Sequence, residues 1–379
     1  MKIGLITYHS AYNFGSVLQA YASQHIINRI AGDCEIINYR TKEQRRVYSP
    51  FVWNKGREFV KSLIKNILAF PQYKCRKLRS IKYETLFTKL FNLSDECTTP
   101  EAVYSMWNKY DIIVSGSDQI WNKYSNELAQ ASWSNIEPYL LNGYKGKKIS
   151  FASSIGNMPD SEITKLVDYI NEFDYVSMRE KESADKLRSI VTVDVENVVD
   201  PTFLLTKEEW RQEFHLTDVS EKYILYYALN RRRDVKEARK AIEIYAKKKR
   251  IKVRMIDPLG ASKSSEYVDV LNSIDPIEFL QLIYGAETII TDSYHGTILS
   301  VNLEKDVFSI CGKNKSDFRK TDILKQIGLS DRIISNINDI IDNEFESIQY
   351  DAVKEKLYPL IQNSKRYLYI AFGVKEDEV

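Results

Sequence analysis

The feature that most constrains the fold is an alternation of short apolar runs with longer amphipathic segments. The first apolar run, KIGLITY, ends near Tyr8, and a turn leads to SVLQAYASQHIINRI, whose apolar residues recur at helical spacing. Gly32 follows at the position where glycine commonly ends a helix. Because parallel strands need a crossover connection, this alternation predicts parallel sheets covered by helices.

The same alternation continues along the chain. Further strands are predicted at residues 35–40, 111–116, 147–154, 175–179, 222–229, 252–257, 287–292 and 307–310. Further helices are predicted at residues 54–70, 78–91, 233–249, 276–286, 296–304 and 351–371. Two sets of units separate near residues 205–221. The pattern therefore predicts an α/β protein with two Rossmann-like domains whose parallel sheets face a central cleft.

The domain boundaries follow from that separation. We expect an N-terminal domain over residues 1–208 and a C-terminal domain over residues 209–350. The last predicted helix, 351–371, would pack back on the N-terminal domain.

Composition excludes several protein classes. The chain is 44% hydrophobic and 28% charged, its first residues lack the pattern of a secretory signal, and no run of about 20 apolar residues occurs. Its four cysteines are widely spaced without a C-x-x-C pair, and its four histidines are scattered, so neither a disulfide scaffold nor a metal site is expected. We expect a cytoplasmic enzyme with reduced thiols.

Positive charge is concentrated in residues 40–82. This segment contains thirteen Lys or Arg and only two acidic residues, so it carries +11, whereas the rest of the chain carries −9. A local basic patch on an acidic protein indicates a local anionic partner rather than nucleic acid. Two interpretations stay open: a solvated face whose apolar side packs on the domain, or a peripheral contact with the inner face of an anionic membrane through Phe51, Trp53 and the 54–70 helix.

Polar clusters follow the predicted strands at the ends where open parallel sheets bind ligands. They lie at residues 8–15, 116–122, 153–156, 179 and 292–296. Each also has a simpler explanation. Asn13 to Gly15 could be a tight turn, Asp118 a cap, Trp121 a core residue, and Arg179 the start of a solvated helix.

The cluster DSYHG at residues 292–296 is the most informative, because a strand delivers it directly to a helix N-terminus. Backbone amides and the helix dipole favour an anion there, and His295 could bind that anion or transfer a proton. The alternative is that Asp292 or Ser293 only caps the helix and His295 packs beside it.

Seven segments occur in an order that resembles one known family. They are NFGSVLQAYA, VSGSDQIWN, SFASSIG, SMREKES, DPTFLL, TDSYHGTILS and SDFRKTDILKQIGLSDRI. Together they resemble the polysaccharide pyruvyl transferase family over roughly residues 3–335. The pair GSDQIWN and DSYHGT, in this order and separation, is the specific part of the resemblance.

The resemblance implies a GT-B-like fold and a transferase whose donor is phosphoenolpyruvate. The product would be a pyruvate ketal on two hydroxyls of a sugar, with release of phosphate. The acceptor would be a sugar of a bacterial capsule, exopolysaccharide or cell-wall precursor, often lipid-linked. No cofactor is implied apart from this donor substrate, and no nucleic acid partner is expected.

The resemblance also suggests roles for individual residues. His295 would be the acid or the phosphate ligand, Arg179 a ligand of the donor's anionic groups, and Asp118 an acceptor-side carboxylate. Substrate contacts are expected from Asn13, Gly15, Ser117, Trp121, Asn122, Ser154, Ser293, Gly296 and Arg319. Some members carry Arg where this chain has Ser293, so phosphate affinity here would come from another cation such as Arg319 or Lys320.

Two other functions remain open from the sequence. One is glycosyl transfer from a nucleotide sugar on the same GT-B architecture. The other is a non-catalytic protein that binds carbohydrate or phosphate, against which the presence of His295 and Arg179 argues.

Overall fold

A computed structural model describes residues 1–49, 51, 64, 66–67, 70–128, 132–229, 235–258, 262–312 and 317–375. The chain divides into two compact units. Unit 1 contains Met1–Tyr48, Leu86–Leu205 and Leu357–Val379, and unit 2 contains Ser49–Thr85 and Thr206–Lys356. The structure thus groups residues 49–85 with the second unit, whereas the sequence analysis places them in the first domain.

Unit 1 is built on parallel strands. They are β1 (Ile3–Ile6), β2 (Cys34–Ile36), β3 (Ile112–Ser115), β4 (Lys147–Ser150), β5 (Val176–Met178) and β6 (Val195–Asn197). A four-stranded sheet has the order β2-β1-β3-β4, and β5 pairs with β6. The strands β1 to β4 lie almost entirely within the core, as expected for a parallel sheet covered on both faces.

The unit 1 helices are mostly short. They are α1 (Phe14–Ala31), α2 (Lys42–Tyr48), α3 (Tyr73–Leu90, whose first part belongs to unit 2), α4 (Pro100–Tyr104), α5 (Trp133–Ile136), α6 (Asp160–Ile163), α7 (Val167–Ile170) and α8 (Lys181–Arg188). The core beneath them is rich in large aromatic side chains, among them Trp107, Trp121, Tyr139 and Phe173.

Unit 2 contains a second parallel sheet. Its strands are β7 (Tyr223–Tyr227), β8 (Lys252–Ile256), β9 (Val268–Leu271), β10 (Thr288–Thr291), β11 (Asp306–Ile310) and β12 (Ile333–Ile334), in the order β12-β11-β10-β7-β8-β9. Its helices are α9 (Lys207–Glu213), α10 (Val235–Lys249), α11 (Pro276–Gly285), α12 (Tyr294–Asn302), α13 (Phe318–Gln326) and α14 (Asn338–Asp342).

The expected fold class is confirmed: the paired strands of both units are parallel, and helices alternate with the strands. Strand β9 and helix α13 are absent from the sequence prediction, since β9 has only four residues and α13 is rich in polar residues. Most of the predicted 54–70 helix lies outside the described residues. In the part of the chain that the structure describes, no helix is both long enough and apolar enough to span a bilayer.

The last helix, α15 (Tyr350–Phe372), begins in unit 2 and continues in unit 1. In unit 1 it is held by buried hydrogen bonds. The Ser364 hydroxyl accepts a bond from the Val199 amide at 2.9 Å, and the Tyr367 hydroxyl donates to the Ser150 carbonyl. Ser364 and Leu368 are fully buried, so this part of the helix belongs to the core of unit 1.

We predict that Ser364→Ala lowers the free energy of unfolding by about 1–3 kcal/mol, because it leaves the buried Val199 amide without its acceptor. Urea denaturation of the full chain measures the change. As a control, Ser189→Ala removes a hydroxyl that bonds to Lys186 on the protein surface, so it changes stability by no more than about 0.5 kcal/mol. Equal effects of the two substitutions would contradict the buried role of Ser364.

Candidate active site

In unit 1, the loops that follow three neighbouring strands meet at the carboxyl edge of the sheet. Asp118, after β3, forms a parallel bridge with Ser153, after β4, and Ser153 forms another with Met178, at the end of β5. The Ser154 amide donates to the Asp118 carbonyl at 3.0 Å, and the Arg179 amide donates to the Ser153 carbonyl at 3.0 Å. Sequence clusters that are far apart in the chain are therefore brought together here.

The N-terminus of α1 joins the same group. Asn13 caps this helix, its side-chain oxygen accepting from the amides of Gly15 and Ser16 at 3.0 and 3.4 Å. The Ser16 hydroxyl donates to Asp118 Oδ2 at 2.9 Å, and the Gln119 amide donates to Asp118 Oδ1 at 2.9 Å. Asp118 is thus a positioned carboxylate that accepts hydrogen bonds on both oxygens.

Arg179 lies at the centre of a buried ion cluster. Its Nη1 is 2.9 Å from Asp200 Oδ2, its Nε is 3.0 Å from Glu180 Oε1, and its Nη2 is 3.5 Å from Asp118 Oδ1. The Arg179 side chain is only 1% exposed. Its guanidinium therefore forms ion pairs with three carboxylates of the protein itself.

The cluster contains more negative than positive charge. Three buried carboxylates surround one guanidinium. A buried charge is costly unless it is paired or hydrogen-bonded. The planar guanidinium carries five N–H donors, so one arginine can contact several carboxylates at once. Arg179 therefore positions Asp118. It also binds Asp200, the residue that caps the 3₁₀ turn Pro201–Leu204.

The other predicted contacts in unit 1 are buried and bonded within the protein. The Ser117 hydroxyl donates to the Ala152 carbonyl, and the Ser154 hydroxyl accepts from the Gly156 amide. Asn122 Nδ2 donates to Gln119 Oε1 at 2.9 Å. Trp121 is fully buried, and its indole N–H donates to the Tyr139 carbonyl at 3.1 Å. These placements match the core alternative for Trp121 and give the other three a role in shaping the loops.

Two glycines are required by close approaches in these loops. Gly116 has φ +136°, and a Cβ there would lie 1.9 Å from the Phe151 carbonyl oxygen. Gly156 has φ +57°, and a Cβ there would lie 2.4 Å from the Asn122 amide nitrogen. No larger side chain fits at either position, which explains why both residues are glycine.

A tyrosine-rich wall lies beside Asp118. The Tyr8 hydroxyl donates to the Gln119 carbonyl at 3.0 Å, and the Tyr8 and Tyr139 rings meet edge to face at 5.4 Å. Burial, with a smaller contribution from Tyr139, raises the pKa of Tyr8 well above its usual value. Tyr8 therefore stays protonated. A cavity of about 10 Å³ beside these rings, with Glu127 in its wall, has room for about one water molecule.

In unit 2, the predicted anion site is the N-terminus of α12. Ser293 caps this helix: its hydroxyl accepts from the Gly296 amide at 3.2 Å, and its carbonyl accepts from the Thr297 amide at 2.9 Å. The capping alternative is therefore present. His295, in the first turn, is 7% exposed, and its ring meets that of Tyr294 edge to face at 5.1 Å.

Two cations lie near this terminus, and they differ in what they can bind. Lys320 Nζ is 2.7 Å from the Asp292 carbonyl, 2.6 Å from the Ile310 carbonyl and 3.0 Å from an Asp317 carboxylate oxygen. An ammonium has three N–H groups, so Lys320 is saturated by the protein. Arg319 is half-buried, and its guanidinium lies 5.4 Å from the centre of the Tyr294 ring. Lys320 therefore has no N–H group left for an anion, and Arg319 stays the predicted anion ligand.

A separate cavity of about 320 Å³ lies at the opposite, amino edge of the unit 2 sheet. Residues at the starts of three strands line it, among them Ile224, Thr288 and Asp306. Open parallel sheets bind ligands at their carboxyl edge, where the motif residues lie, and this cavity is at the other edge.

Sequence reasoning missed Ser16, Glu180 and Asp200 as members of the site. Glu180 stands in the run REKE, which resembles a solvated helix start, yet it is 2% exposed. Asp200 follows an apolar run and precedes a proline, a pattern that indicates only a turn cap. The signal that could have identified Asp200 is its place after a strand, since β6 delivers it to the same edge as Arg179.

Comparisons with known proteins identify the family and the fold class. A sequence model described as polysaccharide pyruvyl transferase matches residues 13–310 of the chain. That range contains the unit 1 cluster and the N-terminus of α12. A search of curated proteins finds no match.

Solved structures show the fold. The UDP-GlcNAc 2-epimerase of Methanocaldococcus jannaschii, in complex with UDP-GlcNAc and UDP, is 15% identical, with 98% of this chain and 99% of that chain covered and a TM-score of 0.52. Arabidopsis thaliana UGT89C1, complexed with quercetin, is 9% identical, with 99% and 95% covered and a TM-score of 0.50. These similarities show a GT-B-like fold and nothing finer.

A third similarity is to a mutant of the Thermobaculum terrenum O-GlcNAc transferase, at 11% identity and a TM-score of 0.45. This chain spans 64% of the length of that protein. A similarity at this level supports no further argument.

We predict that Arg179→Met lowers the free energy of unfolding by about 3–5 kcal/mol at neutral pH, because it leaves buried carboxylates without a counter-charge. Urea denaturation at neutral pH measures the change.

The matched control is Arg211→Met, which removes a guanidinium that pairs with Glu208 on the surface. Exposed pairs contribute about 1 kcal/mol or less, so the stability of this variant stays close to that of the parent protein. A loss at Arg179 that is as small as the loss at Arg211 would show that the cluster is not what holds these loops.

Proposed function

This chain belongs to the polysaccharide pyruvyl transferase family, and we propose that it transfers the pyruvyl group of phosphoenolpyruvate to two hydroxyls of a sugar in a bacterial surface polysaccharide precursor. The observation that carries the proposal is the family match, which spans both the Asp118 loop and the α12 N-terminus. The charge and hydrogen-bonding character of those two places supports it.

The proposed reaction is a ketal formation without oxidation or reduction. The methylene carbon of phosphoenolpyruvate takes a proton, which leaves an oxocarbenium-like centre at the next carbon. One sugar hydroxyl adds to that carbon and loses its proton. The second hydroxyl then displaces phosphate at the same carbon and also loses its proton. An acid on the donor side and a base on the acceptor side therefore assist the reaction.

We assign the donor to the N-terminus of α12. Phosphoenolpyruvate carries a phosphate and a carboxylate, and a helix N-terminus favours such anions. His295 lies in the first turn and would act as acid or phosphate ligand, because imidazole exchanges a proton near neutral pH. Some family members carry Arg at the position of Ser293, and here Arg319 would supply that positive charge instead. The Gly296 amide bonds to Ser293 in the structure, so it would reach the donor only by exchanging that bond.

We assign the acceptor hydroxyls to Asp118. Its carboxylate accepts from Ser16 and the Gln119 amide, which fix its orientation, and it is 5% exposed. As an acceptor-side base it would take the proton of the attacking hydroxyl. Arg179 would then act by holding Asp118 in place through the buried cluster. The side chains of Asn13, Ser117, Asn122 and Ser154 would shape the loops around the sugar.

We further propose that the acceptor is lipid-linked and that the protein works in the cytoplasm, at the inner face of the membrane, through the basic segment 40–82. The segment's +11 charge supports an attraction to anionic lipid head groups. No cofactor beyond the donor substrate is part of the proposal.

The test of the donor is protection from thermal unfolding. We expect phosphoenolpyruvate, at about 100 times its dissociation constant, to stabilise the full chain by about 2.7 kcal/mol. The stabilisation should be lost in His295→Gln and in Arg319→Gln, because each removes a group that holds the anion. Scanning fluorimetry with phosphoenolpyruvate, UDP and UDP-GlcNAc in parallel measures the effect.

Two control variants match the chemistry of the substituted residues. His215→Asn changes an exposed histidine of unit 2, and Arg254→Gln removes another guanidinium that lies over a tyrosine ring, that of Tyr223 at 4.0 Å. Both should keep the response to phosphoenolpyruvate. Protection by UDP-GlcNAc alone would favour glycosyl transfer from a nucleotide sugar. Undiminished protection of the His295 and Arg319 variants would remove those residues from the site.

A further inference from the structure

Large apolar side chains are exposed at unusual density in one part of unit 2. Of the fourteen exposed large hydrophobic residues in the described parts of the chain, five lie within residues 64–81. These five define what we call the docking face: Ile64, Ile67, Phe70, Leu78 and Ile81. Monomeric proteins seldom expose large contiguous apolar patches, and such patches commonly mark an interaction site.

In the first part of this face, the described apolar side chains are exposed and the described polar side chain is buried. Ile64 and Ile67 are 52% and 63% exposed, whereas Asn66 between them is buried at 7%. A surface helix that only covers a core turns its apolar side chains inward. The outward Ile64 and Ile67 therefore favour a partner on the outside of this part of unit 2.

The second part of the face lies on α3. Lys74, Lys77, Leu78 and Ile81 are all exposed, and their spacing of three, four and seven residues places them on one side of the helix. The rest of this stretch is anchored within unit 2. The Ser273 hydroxyl donates to the Cys75 carbonyl at 3.0 Å, and Lys82 Nζ is 2.6 Å from a Glu278 carboxylate oxygen. The outward side of α3 is thus fixed in position.

The charge around the docking face has one sign. Residues 64–82 contain six Lys or Arg and no Asp or Glu. Exposed Ile, Leu and Phe beside lysines are the pattern of a surface that lies on an anionic bilayer, because the apolar groups enter the boundary of the acyl chains while the ammonium groups meet lipid phosphates. A nucleic acid would use the positive charge but would leave the aliphatic side chains in water.

We propose that the docking face, together with Lys74 and Lys77, binds the surface of an anionic phospholipid bilayer. The proposal rests on the membrane contact included in the proposed function and names the residues that make it. Each Lys or Arg near an anionic bilayer contributes about 1 kcal/mol, and each buried apolar side chain adds to this, so the binding is reversible and weakened by salt.

The test is flotation of the full chain with vesicles. Vesicles of phosphatidylcholine alone are compared with vesicles that also contain phosphatidylglycerol, at low and at high salt. We expect the parent protein to float with the anionic vesicles at low salt and to be released by high salt. Leu78→Glu combined with Ile81→Glu should lower the bound fraction at least tenfold, and Lys74→Glu combined with Lys77→Glu should do the same.

The matched control is Ile244→Glu, which charges an isoleucine that is 54% exposed on α10 of the same unit. It should float like the parent protein. All substituted side chains are exposed, and thermal unfolding of each variant verifies that the fold is kept. Flotation is independent of the donor, so phosphoenolpyruvate binding without flotation would overturn the docking proposal alone.

Three results would overturn the proposal. The first is a parent protein that stays unbound to anionic vesicles at low salt. The second is a loss in Ile244→Glu equal to that of the α3 variants. The third is unchanged flotation of the Leu78→Glu, Ile81→Glu variant together with a change in another property. A changed oligomeric state would assign the face to a second copy of this chain, and changed binding to RNA would assign it to a nucleic acid.

Discussion

The ion cluster centred on Arg179 is the interaction on which the arrangement of unit 1 depends. Parallel strands deliver Asp118, Arg179 and Asp200 to one edge of the unit, but strand pairing alone does not orient their side chains. One buried guanidinium, shared among three carboxylates, orients them. Charge and topology thus act together: the sheet determines which loops meet, and the arginine determines how they meet.

The two candidate sites are built in different ways. Around Asp118, buried hydroxyl and amide groups satisfy one another, and two glycines permit the close packing of the loops. At the start of α12, the helix dipole and the nearby Arg319 create positive character, while Lys320 is occupied by backbone carbonyls. A positioned carboxylate suits a neutral hydroxyl, and a positive helix end suits an anion. The proposed division into an acceptor and a donor unit follows from this difference.

Much of this organisation follows from sequence patterns, and the reason is periodicity. Buried parallel strands leave continuous apolar runs, so the ends of β1, β3 and β10, and the polar residues after them, were predictable. Burial of charged residues was not, because Glu180 in the run REKE looks like a solvated residue until tertiary structure encloses it. Trp121 illustrates the converse: the resemblance suggested a substrate contact, and only the folded chain shows the full burial that matches the core alternative.

The most direct test of the central claim follows both products of the reaction with the full chain, phosphoenolpyruvate and saccharides that carry two neighbouring hydroxyls. Phosphate release and the mass of the saccharide are measured together. Pyruvyl transfer predicts that the saccharide gains the mass of one pyruvate less one water, in an amount equal to the phosphate released. Phosphate release without a modified saccharide, or a saccharide that is extended only when a nucleotide sugar is supplied, would contradict it.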